Sequence, residues 1–98
     1  MGYSRPKPER LAEKLRQIRE ALGLSQSEML GRLGFGEAIS YTRISSYELG
    51  RNEPPLMVLL EYARAANVYV EALIDDGLDL PAKLPSAKKH EGVKRRPR

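Results

Sequence analysis

Punctuation constrains this chain more than any other feature. Gly23, Gly34 and Gly50, spaced 11 and 16 residues apart and followed by the Pro54-Pro55 pair, interrupt an otherwise helical apolar pattern. Glycine stops helices and proline cannot continue one. No helix before residue 55 can therefore exceed a few turns. Within residues 8–22, Leu11, Leu15, Ile18 and Leu22 follow i, i+4, i+7, i+11, a single apolar stripe. Glu13, Lys14, Arg16, Gln17 and Glu20 fall largely on other faces.

Ser25-Gln26-Ser27-Glu28 reads as a capping box, in which the Ser25 hydroxyl accepts from the Glu28 amide and Glu28 reaches back. A second helix follows through Met29, Leu30 and Leu33, and Gly34 ends it. Ser40 is a good cap for a third short helix over YTRISSYEL, with Ile44 and Tyr47 inward and Gly50 as its stop. Pro55 suits the first turn of a fourth helix, whose apolar stripe is Leu56, Leu59, Leu60, Ala63 and Ala66. Asn67 closes it, and VYVEALI forms a fifth helix with Val70, Leu73 and Ile74 inward. No strand pattern stands out. The expected fold is all-α, a compact five-helix bundle.

At 98 residues this is one domain, and no apolar run approaches the ~20 residues of a membrane helix. There is no cysteine, so no thiolate metal site or thiol nucleophile is available. The one histidine, His90, lies in a basic stretch, which leaves no catalytic or metal constellation. An enzyme is the weakest reading; no cofactor is implied, and the expected address is cytoplasmic. The net charge of +4 is uneven. Residues 1–19 carry six Lys/Arg against Glu9 and Glu13, residues 20–87 five against ten acids, and residues 88–98 six against Glu91. Residues 1–7 and 82–98 read as disordered basic ends around a domain at 8–81. Such ends suit a polyanion or serve only solubility.

The second and third helices are both short, both open at a hydroxyl cap, and are joined by a glycine-containing turn, the layout of a helix-turn-helix. LGLSQSEML at 22–30, Gly34, ISSYELGRNEPPL at 44–56 and LLEYARAANVYVEALI at 59–74 together resemble the phage-repressor helix-turn-helix family, lambda-repressor-like or XRE-type. The resemblance spans roughly residues 8–76. It implies that Tyr41, Thr42, Arg43, Ser45 and Ser46 touch base edges, Arg43 being the one able to grip guanine with two hydrogen bonds. Ser25, Gln26, Arg51 and Asn52 match positions that hold backbone phosphates. Arg19 and Glu48 match a buried ion pair between the first helix and the end of the third.

The chain departs from the family in the turn before the reading helix, which is about four residues longer within FGEAIS. The reading helix could begin near Glu37, placing Ala38 and Ile39 on it, or at the Ser40 cap, which suits Gly36 and the Ser-Tyr-Thr start. The resemblance implies a DNA-binding transcriptional regulator, acting as a homodimer on two half-sites. Leu73, Ile74, Leu78 and Leu80 are the apolar residues expected at the dimer contact. An antitoxin whose partner is a toxin is a variant of the same reading. The rival is a protein-interaction adaptor that retained the fold and lost DNA reading. Residues 25–53 favour it, carrying Arg32, Arg43 and Arg51 against Glu28, Glu37, Glu48 and Glu53.

Overall fold

The computed structural model describes residues 7–36 and 38–85. Among them are five helices: α1 (Leu11–Ala21), α2 (Gln26–Leu33), α3 (Tyr41–Glu48), α4 (Leu56–Ala66) and α5 (Val70–Ile74). α3 packs against both α1 and α2, α4 against α1, α2 and α5, and α5 against α1. One apolar cluster unites them, built on Leu15, Ile18, Met29, Ile44, Tyr62 and Leu73, each at 0 % exposure.

The helix ends follow the punctuation. The Ser25 capping box is complete, with Glu28 N donating to Ser25 Oγ at 3.1 Å and Ser25 N donating to Glu28 Oε1 at 2.8 Å. Those bonds hold the Glu28 carboxyl below the usual range. Gly34 ends α2 at φ 84°, a left-handed conformation that a β-carbon disfavours. Asn67 ends α4 the same way at φ 60°, the one non-glycine residue with positive φ among those described. α3 begins at Tyr41 behind Ser40, whose Oγ accepts from Thr42 N at 3.3 Å. Of the two candidate starts for this helix, Ser40 is therefore the cap. Glu37 itself lies outside the described residues.

Four readings of the apolar pattern need correction. Lys14 is not on a solvated face: it is fully buried, and its Nζ donates to Ala72 O and Asp75 O, each at 2.9 Å. The long hydrocarbon stem follows the apolar stripe while the ammonium meets the open carbonyls at the end of α5. Leu56 is 81 % exposed, because Val58, Leu59, Tyr62, Ala63 and Ala66 define the inward face of α4 and Leu56 sits at its first turn, off that face. Leu73 and Leu80 are buried at 0 % and 6 % exposure, so core packing withdraws them from any dimer contact, whereas Ile74, expected inward on α5, is instead exposed at 45 % and Leu78 at 40 %.

The acidic DDGLD stretch closes the bundle. The Asp76 carboxylate accepts from Glu9 N at 2.8 Å and Arg10 N at 3.0 Å, capping α1 from 66 residues away. α1 accordingly starts at Leu11, later than the expected Pro8. Arg10 ties down the same corner, donating to Asp76 O at 3.0 Å and to Asp79 Oδ1 at 2.6 Å. The two amides pull the Asp76 carboxyl below its ordinary pKa. A depressed folded pKa means that the stabilisation is complete above the unfolded value, near 3.9, and is lost as pH falls through the lower folded value. Asp76→Asn should therefore lower the melting temperature at pH 7 and flatten its decline between about pH 5 and pH 2. Melting curves across that series check this; an unchanged acid limb would show that the cap carries no weight.

Candidate nucleic-acid interface

α3 is short, rigidly backed and polar on its outer side. At 100° per residue, Ile44, Tyr47 and Glu48 share its inward face. Ile44 and Tyr47 are buried, and Glu48 is locked to α1. Arg19 Nε meets Glu48 Oε2 at 2.7 Å and Nη2 meets Oε1 at 3.0 Å, a two-point pair with side chains 16 % and 5 % exposed. Arg19 Nη1 donates to Leu24 O at 2.9 Å, which pins the turn before α2 as well. One guanidinium thus registers α1, the α1–α2 turn and the end of α3. The Tyr62 hydroxyl beside this pair is buried without a hydrogen-bond partner. Burial and the Glu48 charge push its pKa up.

The opposite side of α3 carries the residues expected to read bases. Tyr41, Thr42 and Arg43 are exposed and Ser45 and Ser46 half-buried. The helix divides them. Thr42, Arg43 and Ser46 line a groove of about 620 Å³ whose other walls include Ile39, Ser40 and Asn52. Ser45 faces the other way, sharing a smaller recess with Gln26, Arg16 and Leu49. Arg43 has no hydrogen bond or carboxylate partner among the described residues, so its guanidinium fork is available.

The residues expected to hold phosphates flank this face. Gln26 is the first residue of α2, and its amide Nε2 lies 3.4 Å from Glu48 Oε1, a long contact that leaves its second N–H and its carbonyl available. The Ser25 Oγ and main-chain amide are both engaged in the capping box, so Ser25 keeps only its hydroxyl proton to offer a ligand. Arg51 and Asn52 are exposed in the loop after α3, and Arg51 N donates to Ser46 O at 2.9 Å.

Two further residues stand at this surface without having been singled out from the sequence. Leu49 is 60 % exposed beside Ser45, four residues away on the same stripe. Arg16, one turn before Arg19 on α1, reaches the recess at Gln26 and pairs with Glu20 at 3.0 Å. The i, i+4 and i, i+3 spacings were the available signals.

The acidic balance of residues 25–53 does not translate into an acidic surface here. Glu48 is buried against Arg19, and Glu28 is bound to the start of α2. Among the described residues, Glu53 is the acid left beside the groove.

Comparison with known proteins agrees with this geometry. The helix-turn-helix family model matches residues 15–73, from within α1 to within α5 and over more than half of the chain. No curated protein matches it.

Proposed function

The chain belongs to the XRE-type, lambda-repressor-like helix-turn-helix family of DNA-binding regulators, and from that premise we propose that it is a repressor-like transcriptional regulator reading the major groove of double-stranded DNA with α3. Supporting this most directly is the face of α3, where an arginine with no partner among the described residues and small hydroxyl side chains stand on a helix fixed from behind by Ile44, Tyr47 and the Glu48 pair. A reading helix needs that combination of adaptable polar groups and a rigid back. Tyr41, Thr42, Arg43, Ser45 and Ser46 then meet base edges, while Ser25, Gln26, Arg51 and Asn52 position the duplex through phosphates.

In this reading residues 8–81 form the DNA-binding unit, flanked by basic ends, and the protein is a cytoplasmic, non-enzymatic regulator. No helix among the described residues is long and apolar enough to cross a membrane. The regulator acts as a homodimer on two half-sites about one helical turn apart. Ile74 and Leu78 keep the apolar surface for such a contact, and Leu56 joins Ile74 along a groove floored by Leu11 and Leu59. This patch holds both a protruding side chain and a recess, as a two-fold contact requires.

The deciding experiment is selection of a preferred duplex from random DNA, followed by titration of Arg43→Ala against the selected and a scrambled duplex. Loss of Arg43 should weaken specific binding by about 1–3 kcal/mol and barely change non-specific binding. Equal losses on both duplexes would make Arg43 a phosphate contact. Failure of the unsubstituted chain to enrich any sequence would remove the regulator reading and favour the protein-interaction adaptor.

A further inference from the structure

The turn between α2 and α3, residues 34–40, is held closed. Phe35 O accepts from Ala38 N at 3.0 Å and from Ile39 N at 2.9 Å. Phe35 and Ile39 also pack against the core, so the turn is anchored on both sides of Ala38, which is exposed. Ala38 and Ile39 line the groove along α3 together with Thr42, Arg43 and Ser46. Arg43, Ser46 and Asn52 give that groove polar walls, and the turn gives it an apolar one.

What the apolar wall can offer a ligand depends on which of its polar groups are already spent. The Ala38 and Ile39 amides are both given to Phe35 O, so a phosphate would find no main-chain donor from either residue. Ser40 Oγ accepts from Thr42 N at 3.3 Å and lies 3.0 Å from Thr42 Oγ1. With the two hydroxyls paired, the methyl group is the uncommitted part of the Thr42 side chain. Hydrocarbon from Ala38, Ile39 and Thr42 thus stands beside an arginine that has no partner among the described residues.

Resting on the DNA-binding reading, we infer that this turn is a second reading element: Ala38, Ile39 and the Thr42 methyl receive the 5-methyl group of a thymine beside the guanine that Arg43 grips. The N-terminal end of a reading helix is the part that meets base edges, and Ala38 and Ile39 directly precede the Ser40 cap of α3. Of the four bases, thymine presents a methyl group in the major groove, and apolar contact is what recognises it. The additional length of this turn then has a use. It carries hydrocarbon to the edge of α3 without lengthening the helix. Arg43 hydrogen-bonds one base, and the turn selects its neighbour by shape.

Full-length chains and the duplex enriched from random DNA test this. Deoxyuridine in place of thymidine removes the 5-methyl group and keeps the base pair. At the thymine beside the guanine of one half-site, this exchange should weaken binding about fourfold, the change expected for burying one methyl-sized group. Ala38→Gly removes the apolar wall, and Ala38→Ser puts a hydroxyl on it. In either variant the same exchange should cost less than about twofold. Ala38 is exposed, so both variants should melt close to the unsubstituted chain. An enriched site with no thymine beside the guanine, no thymine sensitive to the loss of its methyl group, or a cost unchanged in both Ala38 variants would each overturn the proposal and leave the DNA-binding reading standing. A chain that enriches no sequence would overturn both.

Discussion

Glu48→Ala should destabilise the protein by about 3–5 kcal/mol, because removing one partner of a buried pair leaves the other charge uncompensated. The pair is 16 % and 5 % exposed on its two sides and held at 2.7 and 3.0 Å. An exposed pair would cost under about 1 kcal/mol. In a domain of this size the loss corresponds to a fall in melting temperature on the order of 20 °C. Arg19 would retain only Leu24 O as a hydrogen-bond acceptor, and a void would open beside Tyr62, whose hydroxyl already lacks a partner. Thermal melts or urea titrations of the two chains check this. A midpoint that scarcely moves would mean that the pair is solvated and α3 is held by apolar packing alone.

The consequence for DNA binding follows from what the pair connects. Glu48 lies on the inward side of the helix whose outer side carries Thr42, Ser45 and Ser46, and it touches Gln26 across the α2 start at 3.4 Å. The rigidity of α3 and the orientation of the Gln26 amide, proposed to face a phosphate, thus meet at one buried carboxylate. Arg19 and Glu48 stand 29 residues apart in sequence. Nothing in their local periodicity links them, and the family resemblance alone suggested the pairing.

Other parts of the bundle were readable from local chemistry. Ser25, Ser40, Gly34 and Asn67 are capping or stop residues whose roles depend on their immediate neighbours, and all four act at helix ends as expected. Inward faces were readable wherever the apolar stripe was long, as with Leu11, Leu15 and Ile18. Leu56 was misplaced because a single apolar residue at a helix start has no stripe beyond it to fix its direction. The role of Asp76 is not legible in the sequence, since a cap supplied from 66 residues away leaves no local trace. The two sides of the α3 face, Ser45 toward Gln26 and Ser46 toward Asn52, follow from helix geometry once the neighbours are known. Sequence supplies the helix wheel but not what stands on either side of it.

Lys14 is the case in which a charge label concealed a core residue, and its replacement should have the second large effect. Its side chain is fully buried, and the ammonium bonds Ala72 O and Asp75 O. Lys14→Ala removes the packed stem and both bonds, at a cost of about 3 kcal/mol. Lys14→Met restores the hydrocarbon volume without the donor and should cost about half as much, since no buried ammonium then needs solvation. α5 has only five residues, too few to persist alone, so it depends on this tether and on Leu73. Asp76 follows α5 almost immediately and caps α1. Loosening α5 should therefore release that cap too, and Lys14→Ala should flatten the acid limb of the melting curve as Asp76→Asn does. Additive effects of the two substitutions would show that α5 and the cap act separately. A combined effect close to that of Lys14→Ala alone would show that the buried lysine holds the carboxylate in place.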